Sequence, residues 1–133
     1  MKKKLNILLV DDDLTILNNL AAYLEDEDYN VIKAHSAEEA LDFINKRLKA
    51  GSKVIDRIIA IVDIRLPGLN GNELIEKCLR ISPDIKFIIH TGSTDYKIPD
   101  NLKTLTVISN NIFRKPVYNM NDFVQEIQKL AKD

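Results

Sequence analysis

Short, unbroken apolar runs alternate along this chain with longer stretches whose apolar residues recur every three or four positions. That alternation leaves few folds open. LNILLV (5–10), NVIKAH (30–35), RIIAIV (57–62), IKFIIH (85–90) and NIFR (111–114) read as strands. Between them, Leu17, Leu20, Ala21 and Leu24 line one face of a helix over 14–26. Ser36 with Glu39 has the spacing of a capping box. It opens a long helix that carries Ala37, Ala40, Leu41, Ile44 and Leu48 and ends near Gly51. Leu74, Ile75, Cys78 and Leu79 mark a third helix over 72–80, stopped by Ser82-Pro83. Phe123, Val124, Ile127, Leu130 and Ala131 mark the last. The order is βαβαβαβαβα. Continuous apolar strands, each followed by a helix, imply an α/β fold with a parallel sheet covered on both faces and right-handed crossovers. There is no internal repeat or linker, so residues 1–133 are expected to form a single domain.

Composition removes several classes of function. A net charge of −1 gives no global basic field for nucleic acid or an anionic membrane. The longest apolar run, Ile58–Val62, is far short of the ~18 residues of a membrane span. Lys2, Lys3 and Lys4 are not followed by a signal-peptide apolar segment. The single cysteine, Cys78, cannot form an internal disulfide, and a reducing cytoplasm is the expected compartment.

Ligands of such sheets bind outside the carboxyl ends of the strands. Asp11, Asp12 and Asp13 follow the first strand, and Asp63 follows the third. His90, Thr91 and Gly92 close the fourth, and Lys115 and Pro116 close the fifth. Clustered carboxylates repel one another unless a proton or a cation neutralises them. Hard oxygen donors suit Mg2+, so Asp11, Asp12 and Asp63 fit a Mg2+ site, with room for a backbone carbonyl. A carboxylate can also act as a nucleophile and form an acyl phosphate. Lys115 offers a point charge for the same phosphoryl group, Thr91 a hydroxyl, and Gly92 a backbone N–H without a side chain in the way. Asp13, just before a helix, reads as an N-cap. In PGLNG (67–71), Pro67 fixes φ, and Gly68 and Gly71 are expected to take positive φ. His90 reads as a packed or loop-edge histidine.

The fragments ILLVDDD, IVDIRLPGLNG, FIIHTG and FRKP occur at the ends of strands one, three, four and five, in that order. Together they resemble the receiver domain of two-component response regulators, the family of the bacterial chemotaxis regulator. The resemblance covers essentially the whole chain. It implies a flavodoxin-like (βα)5 fold with strand order 2-1-3-4-5. It makes Asp63 the phosphoacceptor and Asp12 a direct Mg2+ ligand, with Asp11 orienting metal-bound water. The Arg65 carbonyl becomes a further ligand, and Thr91 and Lys115 the switch hydroxyl and lysine. Pro116 would be cis-bonded. The partners implied are a sensor histidine kinase or histidine phosphotransfer protein, which donates the phosphoryl group, and a downstream protein target. A phosphorylation-dependent homodimer stays open. No output domain is expected within these residues, and neither nucleic acid nor membrane is an expected direct partner.

The chain also departs from that family. Ile112 stands where an aromatic residue is usual, three before the lysine, and Phe113 is expected on the opposite side of the strand. Pro99 allows only a short fourth helix, beginning near it and preceded by irregular chain. The stretch 45–56 lengthens the second helix or its loop. Arg65 and Ser93 occupy positions that flank the route of hydrolytic water in the family. Two other functions compete. One is a haloacid-dehalogenase-type phosphohydrolase with Asp11 as nucleophile, Asp13 as acid/base and Thr15 in the turn. The other is an adaptor that keeps the fold without the chemistry.

Overall fold

The structure, a computed structural model, describes residues 5–50 and 57–132. The elements are β1 (Asn6–Val10), α1 (Leu14–Asp26), β2 (Asn30–Ala34), α2 (Ala37–Lys49), β3 (Ile58–Val62), α3 (Gly71–Ile81), β4 (Lys86–Thr91), α4 (Asp100–Lys103), β5 (Phe113–Arg114) and α5 (Asn121–Ala131). The strands form one parallel sheet in the order β2-β1-β3-β4-β5, as the resemblance implies. The end of the lengthened 45–56 stretch lies outside the described residues.

Pleating sends alternate residues of each buried strand to opposite faces. Leu8, Val10, Ala60, Val62, Phe87 and Ile89 pack with α2, α3 and Leu102 of α4. Ile7, Leu9, Ile59, Ile61 and Ile88 pack with α1 and α5. The same alternation separates the two residues in question on the edge strand. Phe113 joins the α1/α5 layer, stacked on Phe123 with centroids 4.5 Å apart, whereas Ile112 packs on the other layer.

Local signals set the helix starts. Asp13 caps α1, accepting from Thr15 N at 3.0 Å and Ile16 N at 3.2 Å. At α2 the expected box is present in its Ser36 half, which accepts from Glu39 N. The Glu39 carboxylate lies 3.2 Å from His35 Nδ1. A full capping box forms instead at α3, where Asn70 accepts from Glu73 N and Glu73 accepts from Asn70 N.

Two expectations need correction. Gly68 has φ +76°, but Gly71 is the first residue of α3 and not a positive-φ position. Its lack of a side chain serves close approach. A Cβ there would lie 2.4 Å from the Asp63 carbonyl oxygen and 2.7 Å from Ile64 Cα. Strand five, expected over 111–114, is reduced to two residues. Ile108 already bridges Phe87, and pairing then resumes at His90–Phe113. Ile88 and Ile89 therefore face four residues, 109–112, across the edge. Side chains hold this bulge. The Ser109 hydroxyl donates to Glu126 Oε2 at 2.8 Å and accepts from Asn111 N, and Asn111 Nδ2 donates to Glu126 Oε1. α4 is four residues long with Pro99 at its start, as expected, and the Lys115–Pro116 bond is cis.

His90 is buried edge-on against Phe123, with centroids 5.0 Å apart. Burial first, and the Lys115 charge second, bring its pKa down from 6.5 to about 4. An unfolded chain takes this proton near 6.5, and the folded chain only near 4. Between those values the unfolded state binds more protons, so stability is lost as pH falls. Urea midpoints from about pH 7 to about pH 4 should fall less steeply for His90→Leu than for the parent. At Gly71, the variant Gly71→Ala should lose ~1–3 kcal/mol in urea unfolding, because its methyl group overpacks rigid backbone.

Candidate functional site

The backbone fixes where the polar side chains emerge. Asp11 N donates to Ala34 O, Asp63 N to Val10 O at 2.9 Å, and Lys115 N to Thr91 O at 2.8 Å. Each of these residues thus makes a ladder-type bond just past its strand, so the parallel register places them side by side.

A second local device repeats at three strand ends. Asp11 Oδ1 accepts from Asp13 N at 2.9 Å, Asp63 Oδ1 from Arg65 N at 3.2 Å, and Thr91 Oγ1 from Ser93 N at 3.1 Å. Each side-chain oxygen ties back to the N–H two residues on, which holds the side chain at the strand end. In both acids this leaves Oδ2 for the centre. Lys115 Nζ lies 2.8 Å from Asp11 Oδ2 and 3.1 Å from Asp63 Oδ2. Its side chain is 17% exposed and those of the two acids 6%. The carboxylates of Asp11, Asp12 and Asp63 each offer an oxygen within 4.8 Å of the others, with Asp12 on the exposed side.

The electrostatics follow from this crowding. Burial raises the Asp63 carboxyl above the usual carboxylate range; the Asp11 charge adds to the shift, and Lys115 and Arg65 N–H partly offset it. Burial alone would lower the Lys115 amine, but Asp11 and Asp63 outweigh it and hold its pKa above that of an ordinary lysine. One ammonium contacts two of the three grouped carboxylates, and at 2.8 Å it is the partner of buried Asp11 Oδ2. Three carboxylates against one ammonium leave negative charge that suits a hard divalent cation.

The remaining expected residues fall around this centre. Gly92 is exposed, and the nearest atom to a Cβ placed on it is Lys115 Cδ at 3.9 Å. Arg65 is exposed and its Nη2 donates to Ser93 Oγ at 3.3 Å. Asp13 serves as the α1 cap and is not part of the acid group, which removes the acid/base of the phosphohydrolase reading. Sequence reasoning missed Arg114, which donates to Ser93 O and Tyr96 O, and Tyr96, whose hydroxyl donates to Asn72 Oδ1. These partners are backbone carbonyls and a distant helix, which leave no periodic or motif signal.

Among the described residues no helix is long and apolar enough to cross a membrane. Similarity to known proteins agrees with the geometry. The chain is 36% identical over 110 residues to the regulatory protein VanR of Enterococcus faecium, covering 83% of this chain and 43% of VanR. The chain spans about half or less of the length of the curated relatives it matches. A CheY-like response regulator receiver domain protein from Methanospirillum hungatei JF-1 superposes with a TM-score of 0.76 at 30% identity, covering 98% of this chain and 95% of that one. The response regulator TrrA of Thermotoga maritima, solved in complex with Mg(2+)-BeF, gives 0.72 at 26% identity, covering 95% and 98%. The response regulator receiver domain family matches residues 7–128, and the chain belongs to that family.

Proposed function

We propose that this chain is a phosphoacceptor switch, a single receiver unit in which Asp63 takes a phosphoryl group from the phosphohistidine of a kinase or phosphotransfer protein. The observation that carries the reading is Lys115 Nζ held between Oδ2 of Asp63 and Oδ2 of Asp11. A bond from an Asp63 carboxylate oxygen to phosphorus forms as the phosphorus–nitrogen bond to the partner's imidazole breaks, and the imidazole leaves with the electron pair. Lys115 exchanges its Asp63 contact for a phosphoryl oxygen. Thr91 donates its hydroxyl to another, and the Gly92 N–H approaches from the open side. Asp11, Asp12, Asp63 and the Arg65 carbonyl are the proposed donors for Mg2+. When bound, Mg2+ supplies charge that offsets the repulsion between an anionic nucleophile and an anionic phosphoryl group. The TrrA complex supports this cofactor by analogy.

The setting is proposed to be the cytoplasm. The reaction is confined to the protein's own phosphorylation and dephosphorylation. An apolar cleft of about 330 Å3 opens beside Lys115, lined by Ile16, Leu20, Val117, Met120 and Phe123. It offers a phosphodonor protein a surface to pack on. The surface from 91 to 115 then changes to control a downstream protein. An adaptor without the chemistry would have no use for a lysine joined to two buried acids.

Incubation with acetyl phosphate and Mg2+ should label the parent and leave Asp63→Asn unlabelled; equal labelling of the variant would show the assignment to be wrong. Lys115→Ala should lower the urea midpoint in EDTA, because two buried acids then face each other without a cation. Added Mg2+ should restore much of that loss.

A further inference from the structure

Ser93 is held at three points. Its N–H donates to Thr91 Oγ1, its hydroxyl accepts from Arg65 Nη2 at 3.3 Å, and its carbonyl accepts from Arg114 Nη1 at 2.6 Å. The other arm of the same guanidinium donates to Tyr96 O at 3.1 Å. Tyr96 in turn donates its hydroxyl to Asn72 Oδ1 at 2.6 Å on α3, and its ring packs against the α2/α3 core layer. Arg114 is the register partner of Thr91 across β4 and β5. One exposed side chain thus ties the loop after the switch hydroxyl to the strand that ends at Lys115.

Apart from the bonds above, the loop is held by Tyr96 and Ile98 packing on that core layer. Residues 92–99 are neither helix nor strand, and α4 beyond them is a single turn. Segments with few ordered hydrogen bonds open at low cost, so each remaining bond weighs heavily in their equilibrium. Bonds from a charged donor are the stronger kind, and the planar fork of arginine holds two carbonyls in a fixed geometry that a rotatable ammonium does not impose.

We infer that Arg114 is a positioning residue that latches the 92–99 loop and thereby holds Thr91 in its unphosphorylated placement. The inference rests on the phosphoacceptor reading of Asp63. For Thr91 Oγ to turn to a phosphoryl oxygen, Ser93 N–H must follow it or let go. Ser93 cannot follow freely while its carbonyl is tied to Arg114. The latch therefore taxes the activated arrangement, and any ligand that needs that arrangement binds more weakly by the same factor.

The test is titration of the full chain with beryllofluoride in excess Mg2+. Arg114→Met keeps the apolar stem and removes the donors. It should tighten apparent binding about three- to tenfold, a population shift expected when one charged two-bond contact is released. Arg114→Lys should fall between Met and the parent, and Tyr96→Phe should shift affinity in the same direction. A merely structural role for Arg114 would lower the urea midpoint without tightening binding. Unchanged or weaker binding by Arg114→Met, with Mg2+-dependent binding intact in the parent, overturns the latch and leaves the Asp63 reading standing. Absence of Mg2+-dependent binding in the parent overturns that reading, and the latch with it.

Discussion

The ammonium of Lys115 between two buried carboxylates is the contact on which the rest of this molecule turns. Asp11 and Asp63 follow directly on adjacent strands with apolar side chains behind them, where charge is poorly solvated. Their mutual repulsion is tolerated because a cation from a third strand end reaches both. The arrangement is short of full neutralisation. It is stable enough to fold, yet negative enough to attract further positive charge.

Such a contact needs a stiff frame and a loose rim, and the chain divides along that line. Every side chain of β1 and β3 is buried, and their register with β4 sets the spacing of the acids. Gly71 brings α3 directly against the backbone of Asp63 and Ile64, so the acid's segment is clamped from beneath. Glu38 of α2 reaches the following turn and accepts from Leu69 N. Beyond Thr91 the character changes: irregular chain, a single helical turn and a two-residue strand, joined by side-chain bonds. The acids thus stand on the stiff part of the molecule, and Thr91 stands where the less regular part begins.

Much of this was legible in the sequence, for identifiable reasons. Continuous aliphatic strands can only be central and parallel, so β1, β3 and β4 and their alternate faces followed from pattern. The acids and the lysine were legible because strand ends converge in this class of sheet. Asp13 was legible because a lone acid before an amphipathic run is a cap. The misreadings have different causes. Gly71 looked like turn chemistry because a glycine chosen for close approach and one chosen for positive φ are the same letter. NIFR promised a full strand because local propensity carries no account of Glu126 on α5, whose buried carboxylate holds the Ser109 and Asn111 side chains where the register breaks. Arg114 was silent because its partners are carbonyls, which every residue has.

The shortness of β5 and its broken pairing with β4 have a consequence for strand addition at this edge. A long, flat, unpaired strand margin is a template on which another chain can add, and natural proteins interrupt such margins. Here backbone bonds join Val107 and Ser109 to Phe87, the register breaks over residues 110–112, and pairing is regained for two residues only. An incoming strand would find no continuous row of donors and acceptors to copy. On this flank the backbone therefore offers another chain little to pair with.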